Sequence, residues 1–373
     1  MVTGMKNTFE RFGILPNVRQ SGGLDLELRC LVQIFREMMA EVKSNTGLSW
    51  KQRLNAWKHG FNSVSWLLYN LPENDSDSYL PDLPMAVKGF KINGFFNPVF
   101  NNKLLLSWLL EVHQVPHPAV VSIILDGQMF ESDSRLVPDM EQALARSLDR
   151  YPRQVFRPTW SGGGEGVFFL RRDEDRLRLN GKEVSLQEVC EILAGLDRYL
   201  ATEFTEQAAY AQTIYPRTTN TLRMLSLWDL HTGEPFIAAV VQRFGSSRSE
   251  PLDNWHQGRG GVCALVDMTT SAMGQAVSLS SQKKLVWNTA HPENGQQIEG
   301  VVIPGLHDCI EGVLKAAGRY PFCPLIGWDV VMTKDGFSIL EANPQPGLTV
   351  VQVHTPLLKD QRTRAFFQHW GLV

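Results

Sequence analysis

Three shortages narrow what this 373-residue chain can be. The first is cysteine. Five thiols, at positions 30, 190, 263, 309 and 323, are scattered and no Cys-x-x-Cys occurs. An odd, dispersed set argues against a disulfide framework or a zinc site and suits reduced thiols in a cytoplasm. The second shortage is apolar run length. A membrane-spanning helix needs about 20 consecutive apolar residues, whereas the greasiest stretches here, such as residues 118–125, are strand-sized. Lys6, Glu10 and Arg11 stand among scattered apolar residues, without the h-region of a signal peptide, so a cytoplasmic location is expected. The third shortage is net charge: 36 Lys+Arg against 39 Asp+Glu leave −3. Neither nucleic acid nor membrane insertion is implied, and any phosphate site has to be local. No repeat or low-complexity tract is present. What remains is an ordinary globular composition, 43% hydrophobic and 20% charged, long enough for two or three lobes with their own cores.

Periodicity predicts a helical region over residues 1–90. Leu24, Leu28, Leu31 and Phe35 repeat at helical spacing within residues 24–44, a stripe read as a packing surface. Ser49 caps a second helix reaching about Tyr69 and interrupted near Gly60. Residues 71–84 carry three Pro and three Asp and read as a linker. Beyond them, Asn101-Asn102 caps a helix over 103–112, and helices are expected at 139–151, 185–196, 307–318 and 359–370. Ser185 with Glu188 makes a capping box. Strands are expected at 120–125, 155–160, 167–171, 199–204, 222–228, 236–242 and 263–267, with a hairpin at 326–332 and 337–342. This order implies an α+β or α/β protein of several lobes.

The hairpin is the sharpest local signal. If Lys334, Asp335 and Gly336 form a three-residue loop with Gly336 in the left-handed region, Thr333 pairs with Phe337 and Asp329 falls opposite Glu341. Asn343, two residues on, shares that face. Facing carboxylates repel. Either a magnesium ion, which takes oxygen ligands, offsets the repulsion, or the hairpin face is merely solvated. On either reading, neutralising Glu341 in the unliganded protein would be harmless or slightly stabilising.

Ser161-Gly162-Gly163-Gly164-Glu165-Gly166 lies between two strand-like runs. It is neither a Walker loop nor a dinucleotide fingerprint. It reads as a hairpin flap whose N–H groups can wrap phosphate oxygens, or as a simple mobile tip. Arg157 stands at its root, and Lys103 stands at a helix start, where a cation is unfavourable unless an anion joins it. Arg223, after Asn220-Thr221-Leu222, is able to hold a phosphate or carboxylate through two N–H groups. Residues 253–261, with Asp253, Asn254, Gly260 and Gly261, form a polar glycine-rich loop suited to a substrate pocket. Glu203 and Glu206 flank Phe204 at a strand end, where an acid suits ribose hydroxyls and the backbone suits an adenine edge.

In order and spacing, these pieces resemble the ATP-grasp superfamily from about Asn97 to Val373, above all its sugar-transfer-associated branch, with the glutamate-ligase-like proteins as neighbours. The resemblance implies an α+β ATP-grasp fold, two lobes gripping ATP, with a helical N-terminal extension. Its boundaries would be 1–90 for the extension, 91–200 for the lobe with the flap and 201–373 for the lobe with the hairpin. It implies that Asp329, Glu341 and Asn343 hold one or two Mg2+ ions on ATP, and that Lys103 and Arg157 neutralise phosphates under a flap of Ser161, Gly162, Gly163 and Gly164. Arg223 would steady the phosphates or an acylphosphate. Glu203, Phe204 and Glu206 would span the adenine and ribose contacts, while Asn220, Asp253, Asn254, Gly260 and Gly261 would face the substrate. The implied partners are a small-molecule carboxylate and a nucleophilic co-substrate. An ATP-grasp kinase or a non-catalytic nucleotide-binding protein are the alternatives. One departure is visible: the family's Lys-Pro before the flap is Arg157-Pro158 here, which keeps the charge on a wider, planar fork.

Overall fold

Two seven-stranded antiparallel sheets organise the chain. The computed structural model describes residues 24–43, 46–160, 164–174, 176–258, 260–280 and 284–373. The first sheet holds β1 (Val120–Leu125), β2 (Gln128–Glu131), β3 (Arg153–Pro158), β4 (Phe168–Asp173), β5 (Arg176–Leu179), β6 (Lys182–Val184) and β7 (Tyr199–Glu203), ordered β2-β1-β7-β3-β4-β5-β6. The second holds β8 (Leu222–Trp228), β9 (Pro235–Phe244), β10 (Val262–Val266), β11 (Met273–Leu279), β12 (Leu285–Asn288), β13 (Leu325–Thr333) and β14 (Gly336–Asn343), ordered β12-β11-β10-β9-β8-β13-β14. The helices are α1 (Leu24–Lys43), α2 (Trp50–Lys58), α3 (Ser63–Leu68), α4 (Asp82–Lys88), α5 (Lys103–Val112), α6 (Met140–Arg150), α7 (Leu186–Ala194), α8 (Ala209–Ile214), α9 (Leu306–Ala317) and α10 (Gln361–His369), besides shorter turns.

Local chemistry sets most boundaries. Ser49 and Ser185 close capping boxes on α2 and α7, and the Asn102 side chain accepts from Leu104 N and Leu105 N at the head of α5. One face of the first sheet is covered by α6 and α7, where Leu144, Leu148, Val189 and Leu193 meet Ile124, Phe156 and Leu170. The second sheet is covered on both faces, so β13 is buried over its first eight residues. Leu106, Leu110 and Val313 pack with Leu222, Met224 and Trp328 on one face. On the other, Phe61, Trp66 and Leu80 join Phe366 and Phe367 over Leu225, Leu227, Val241 and Leu325. The architecture is therefore α+β, with two lobes and a helical N-terminal extension.

Two expectations fail. Residues 71–84 are not a linker: Leu71, Leu80 and Leu83 are buried, and Gln352 accepts from Leu80 N (2.7 Å) and donates to Leu80 O (3.0 Å). The proline and aspartate content shapes a packed corner, because the intervening leucines find a core. The stripe on α1 is not a packing surface where its side chains are described, since Phe35 is 63% exposed and Val32, Met39 and Val42 are exposed with it. The helix docks through a polar contact instead. Glu41 is buried and accepts from Ser63 N (3.0 Å) and Ser63 Oγ, while Arg53 donates to Glu41 O (2.6 Å). The side chains of Leu24, Leu28 and Leu31 lie outside the described residues.

Asp82 opens α4 and accepts from Asn62 N (3.1 Å) and Ser65 Oγ (2.9 Å). Burial pushes its carboxyl up to about 7, against those hydrogen bonds, and Glu37 and Glu41 add to the rise. A carboxyl raised on folding stabilises the fold below its unfolded pKa, and that contribution is lost as pH climbs through the folded value. Between pH 5 and pH 8 this group should remove about 2–3 kcal/mol of stability. Urea unfolding at both pH values should show that loss in the wild type and a smaller one in Asp82→Asn. Parallel pH dependence in the two proteins would rule the group out.

Candidate functional site

The site begins in the register of β13 and β14. Thr333 pairs with Gly336, so the loop is two residues, Lys334-Asp335, rather than the expected three. The ladder then runs without slack to Val330 opposite Ile339, and a bulge follows before Asp329 meets Glu341. The facing carboxylates are thus where the sequence placed them, but the extra residue is Leu340, not the turn glycine. The bulge also separates two kinds of side chain. Val330, Ile339 and Trp328 enter the apolar cluster, while Asp329, Glu341 and Asn343 point to the other face.

Four cations converge on that face. Arg223, directly across from Asp329 on β8, grips it with Nε to Oδ1 (2.7 Å) and Nη2 to Oδ2 (3.2 Å). Arg243 Nη2 lies 3.3 Å from both Asp329 Oδ1 and Asp253 Oδ1. Asn343 Nδ2 donates to Asp329 Oδ2 (3.2 Å) and Gly327 O (3.3 Å). Lys103 Nζ is 3.5 Å, and Arg157 Nη1 4.0 Å, from Glu341 Oε1. The bulge frees Leu340 O to accept from Arg157 Nη1 (3.2 Å), so a first-lobe arginine reads a second-lobe irregularity. Four cations against three carboxylates leave the cluster positive, which suits an anionic ligand. Burial lowers the pKa of Lys103 and Arg157, with Glu341 opposing it. Burial would raise Asp329, but Arg223 and Arg243 outweigh it and hold the carboxyl below its usual range.

A cleft opens above this cluster between the lobes. Val155, Phe169, Thr202, Glu203 and Phe204 line it from the first sheet, with Gly164, Asp253 and Asn254 from loops. Gly164 sits at φ +80°, where an added Cβ would strike Leu252, so the flap's root needs glycine. Ser161, Gly162 and Gly163 lie outside the described residues. Other expected site residues are engaged elsewhere. Glu203 Oε1 accepts from Ala119 N (3.0 Å), and Phe204 N donates to Arg153 O (2.9 Å), so that N–H is already taken. Glu206 is exposed beside Arg153 and does not line the cleft. Asn220 is 1% exposed and consumed internally: it accepts from Thr218 Oγ1 and Gly245 N and donates to Gln207, Ala211 O and Tyr215 O. Gly260 and Gly261 press against Asn254 O and Phe244 O, where a Cβ has no room. They shape the loop rather than the cleft wall.

Arg243 escapes the sequence reading because β9 runs two residues past the expected end, to Phe244. Its signal was parity: Arg243 stands two residues from Val241, so it shares the face bearing Arg223. Thr221 is the other omission. It donates through N (2.7 Å) and Oγ1 (2.6 Å) to Asp253 Oδ2, fixing that carboxylate beside Arg243.

The residues fit magnesium and a triphosphate. The donors are all oxygen, two carboxylates and an amide, as a hard cation requires. No group of three His, Cys, Asp or Glu side chains poised for a metal exists among the described residues, since the third donor here is Asn343. Both ion pairs of Glu341 fall on Oε1. Arg157 Nε is buried without a hydrogen-bond partner among the described residues, an orphan donor at the flap's root that an anion would satisfy.

Fold, flap root and charged cluster together define an ATP-grasp protein. The family described as sugar-transfer associated ATP-grasp matches residues 92–364, and the chain belongs to it. No curated protein matches the chain significantly. Similarity to solved structures is low. The ADP complex of the N5-carboxyaminoimidazole ribonucleotide synthetase purK aligns at 11% identity and TM-score 0.37, over 71% of this chain and 48% of that one. The ATP-grasp ligase PsnB, complexed with a phosphomimetic variant of its minimal precursor, Mg and ADP, aligns at 12% and 0.35, over 77% and 67%. D-alanyl-alanine synthetase A from Vibrio cholerae aligns at 11% and 0.43, over 73% and 64%. The chain spans about half the length of the first of these.

Replacing Arg223 with Met should expose the cost of the buried Asp329. Breaking a buried pair costs about 3–5 kcal/mol, and the remaining Arg243 should keep the loss near 3. Because the Asp329 carboxyl is held low, the pair's contribution is present above its unfolded pKa and lost as pH falls through the lower folded value. Denaturant melts should show the deficit at neutral pH and its shrinkage in strong acid. A deficit that does not shrink would mean that packing, not charge, is what Arg223 supplies.

Proposed function

We propose that the protein is an ATP- and magnesium-dependent ligase that activates a carboxylate as an acylphosphate and transfers it to a nucleophile, an amine in the simplest case. The observation that carries this reading is the convergence of Lys103, Arg157 and Arg223 with Asp329, Glu341 and Asn343 at one cleft between the lobes. Lys103 and Arg157 hold phosphate oxygens, the Arg157 Nε gaining the partner it lacks. Arg223 turns from Asp329 toward the transferring phosphoryl group. Glu341, Asn343 and the released Asp329 would hold the magnesium, which neutralises phosphate charge when bound. Thr202, Glu203 and Phe204 wall the base and ribose, and Asn254 faces the acid. The acid is a small molecule, a peptide or a sugar-linked carboxylate, the last supported by the family placement. No side chain is needed as nucleophile, because alignment and charge compensation supply the catalysis.

Calorimetry should show ATP binding that weakens when magnesium is chelated. Glu341 is an ion-pair partner of the buried Lys103, so Glu341→Gln should be mildly destabilising, by about 1 kcal/mol, and not neutral as repulsion alone would have it. The stabilisation of that variant by magnesium-ATP should shrink, and single-turnover ADP release should fall by orders of magnitude. Retention of both would remove Glu341 from the reaction. Transfer of oxygen-18 from the substrate carboxylate into phosphate marks a ligase, and its absence with turnover intact marks a kinase.

A further inference from the structure

A second cleft of about 710 Å3 lies at the edge of the first sheet, between the C-terminal half of α5, the β1–β2 edge and α6. Small-molecule sites occupy roughly 300–1,000 Å3. It is lined by Arg146 and Arg150, one turn apart on α6 and exposed at the rim. Like charges at this spacing weaken a helix, and neither arginine has an ion pair among the described residues. The Arg150 guanidinium sits 5.1 Å from the Tyr151 ring centroid, which holds it over the cleft mouth. Of the acids in the wall, Glu131 and Asp133 share a single cation, Arg135, 2.6 Å from each, so one of their two charges is offset and the other remains with that of Glu111, away from the two α6 arginines in sequence. Trp108, 38% exposed on α5, provides an apolar wall. At the floor, Ser122 is 1% exposed and its Oγ has no hydrogen-bond partner among the described residues. Such an orphan costs stability unless something meets it.

We propose that this cleft is a second ligand site, for a small phosphate- or carboxylate-bearing molecule with a planar or apolar body. The anion lies on Arg146 and Arg150, the body against Trp108, and a polar edge reaches Ser122. The site is wired to the nucleotide cleft by two short routes. Helix α5 carries Trp108 and Glu111 in this cleft and Lys103 in the charged cluster. His117 and Ala119 line this cleft while Pro118, between them, lines the other. The same segment is tied to both lobes, Ala119 N donating to Glu203 (3.0 Å) and Ile339 N to Pro116 O (2.8 Å).

The test is calorimetry on the full chain with phenyl phosphate, benzoate and, as the uncharged control, phenol. One or both anions should bind and phenol should not; the stronger of the two identifies phosphate or carboxylate as the recognised group. Reversing both arginines, R146E/R150E, should weaken binding about tenfold or more, whereas the separate variant Arg223→Met should bind the probe with wild-type affinity. Arg150→Gln gives the same readout should the double reversal disturb the fold. Replacing Trp108 with Phe should remove the fluorescence change on binding. Absence of binding by both anions at millimolar concentration overturns the proposal. So does equal affinity in R146E/R150E, or loss of binding in Arg223→Met, which would place the probe in the charged cluster.

Discussion

The grip of Arg223 and Arg243 on Asp329 is the constraint to which the rest of the second lobe answers. A buried carboxylate costs several kcal/mol unless its partners are held in place. Here the partners come from three neighbouring strands, so charge pairing and sheet register specify one another. A one-residue slip of β8 would carry Arg223 to the face where Leu222, Met224 and Trp328 pack and bring an apolar side chain to Asp329. The polar cluster thus selects one alignment of a sheet whose many Val, Leu and Ile residues would otherwise tolerate several.

The same cluster joins the lobes. Arg157 leaves β3 of the first sheet to reach Glu341 and Leu340 O on β14. Lys103 N, at the head of α5, donates to Thr159 O just past β3 (2.9 Å), while its ammonium pairs with Glu341. The start of α5, the end of β3 and the middle of β14 therefore meet at one point. Motion between lobes must change these few polar contacts before it disturbs either apolar core. A site at such a seam is poised to respond to whatever occupies the cleft.

Much of this was legible because it is local. The caps at Ser49, Asn102 and Ser185 follow from residue type and spacing. The facing of Asp329 and Glu341 was legible from one extra residue in β14, although the sequence placed that residue at the turn and the structure places it at Leu340. Two hairpins were equally legible and went unread: Asp126-Gly127 between β1 and β2, and Asn180-Gly181 between β5 and β6, all four residues at positive φ. The strands that the second turn joins hid it, since they run for only four and three residues, too short for a pattern to stand out. Arg243 and Thr221 needed tertiary neighbours to acquire meaning. Asn220 shows the opposite error. Its amide suits a ligand, but a loop with several unpaired carbonyls claimed it first. Residue type states what a side chain is able to bind and leaves open which bond the fold takes first.

The bulge at Leu340 also governs how this hairpin can change length. Between the turn and the bulge, β13 and β14 exchange only residues such as Val331, Met332, Phe337 and Ser338, whose pairing does not depend on the carboxylates. Insertions at Lys334-Asp335 are therefore absorbed before they reach the ionic face. A deletion of one residue at 340 is a different event. It would remove the bulge and with it the freed Leu340 carbonyl that Arg157 contacts, while Glu341, now next after Ile339, would stay on the ionic face opposite Asp329. The molecule keeps its chemistry apart from its turn by one residue of slack, and that residue's identity matters less than its being there.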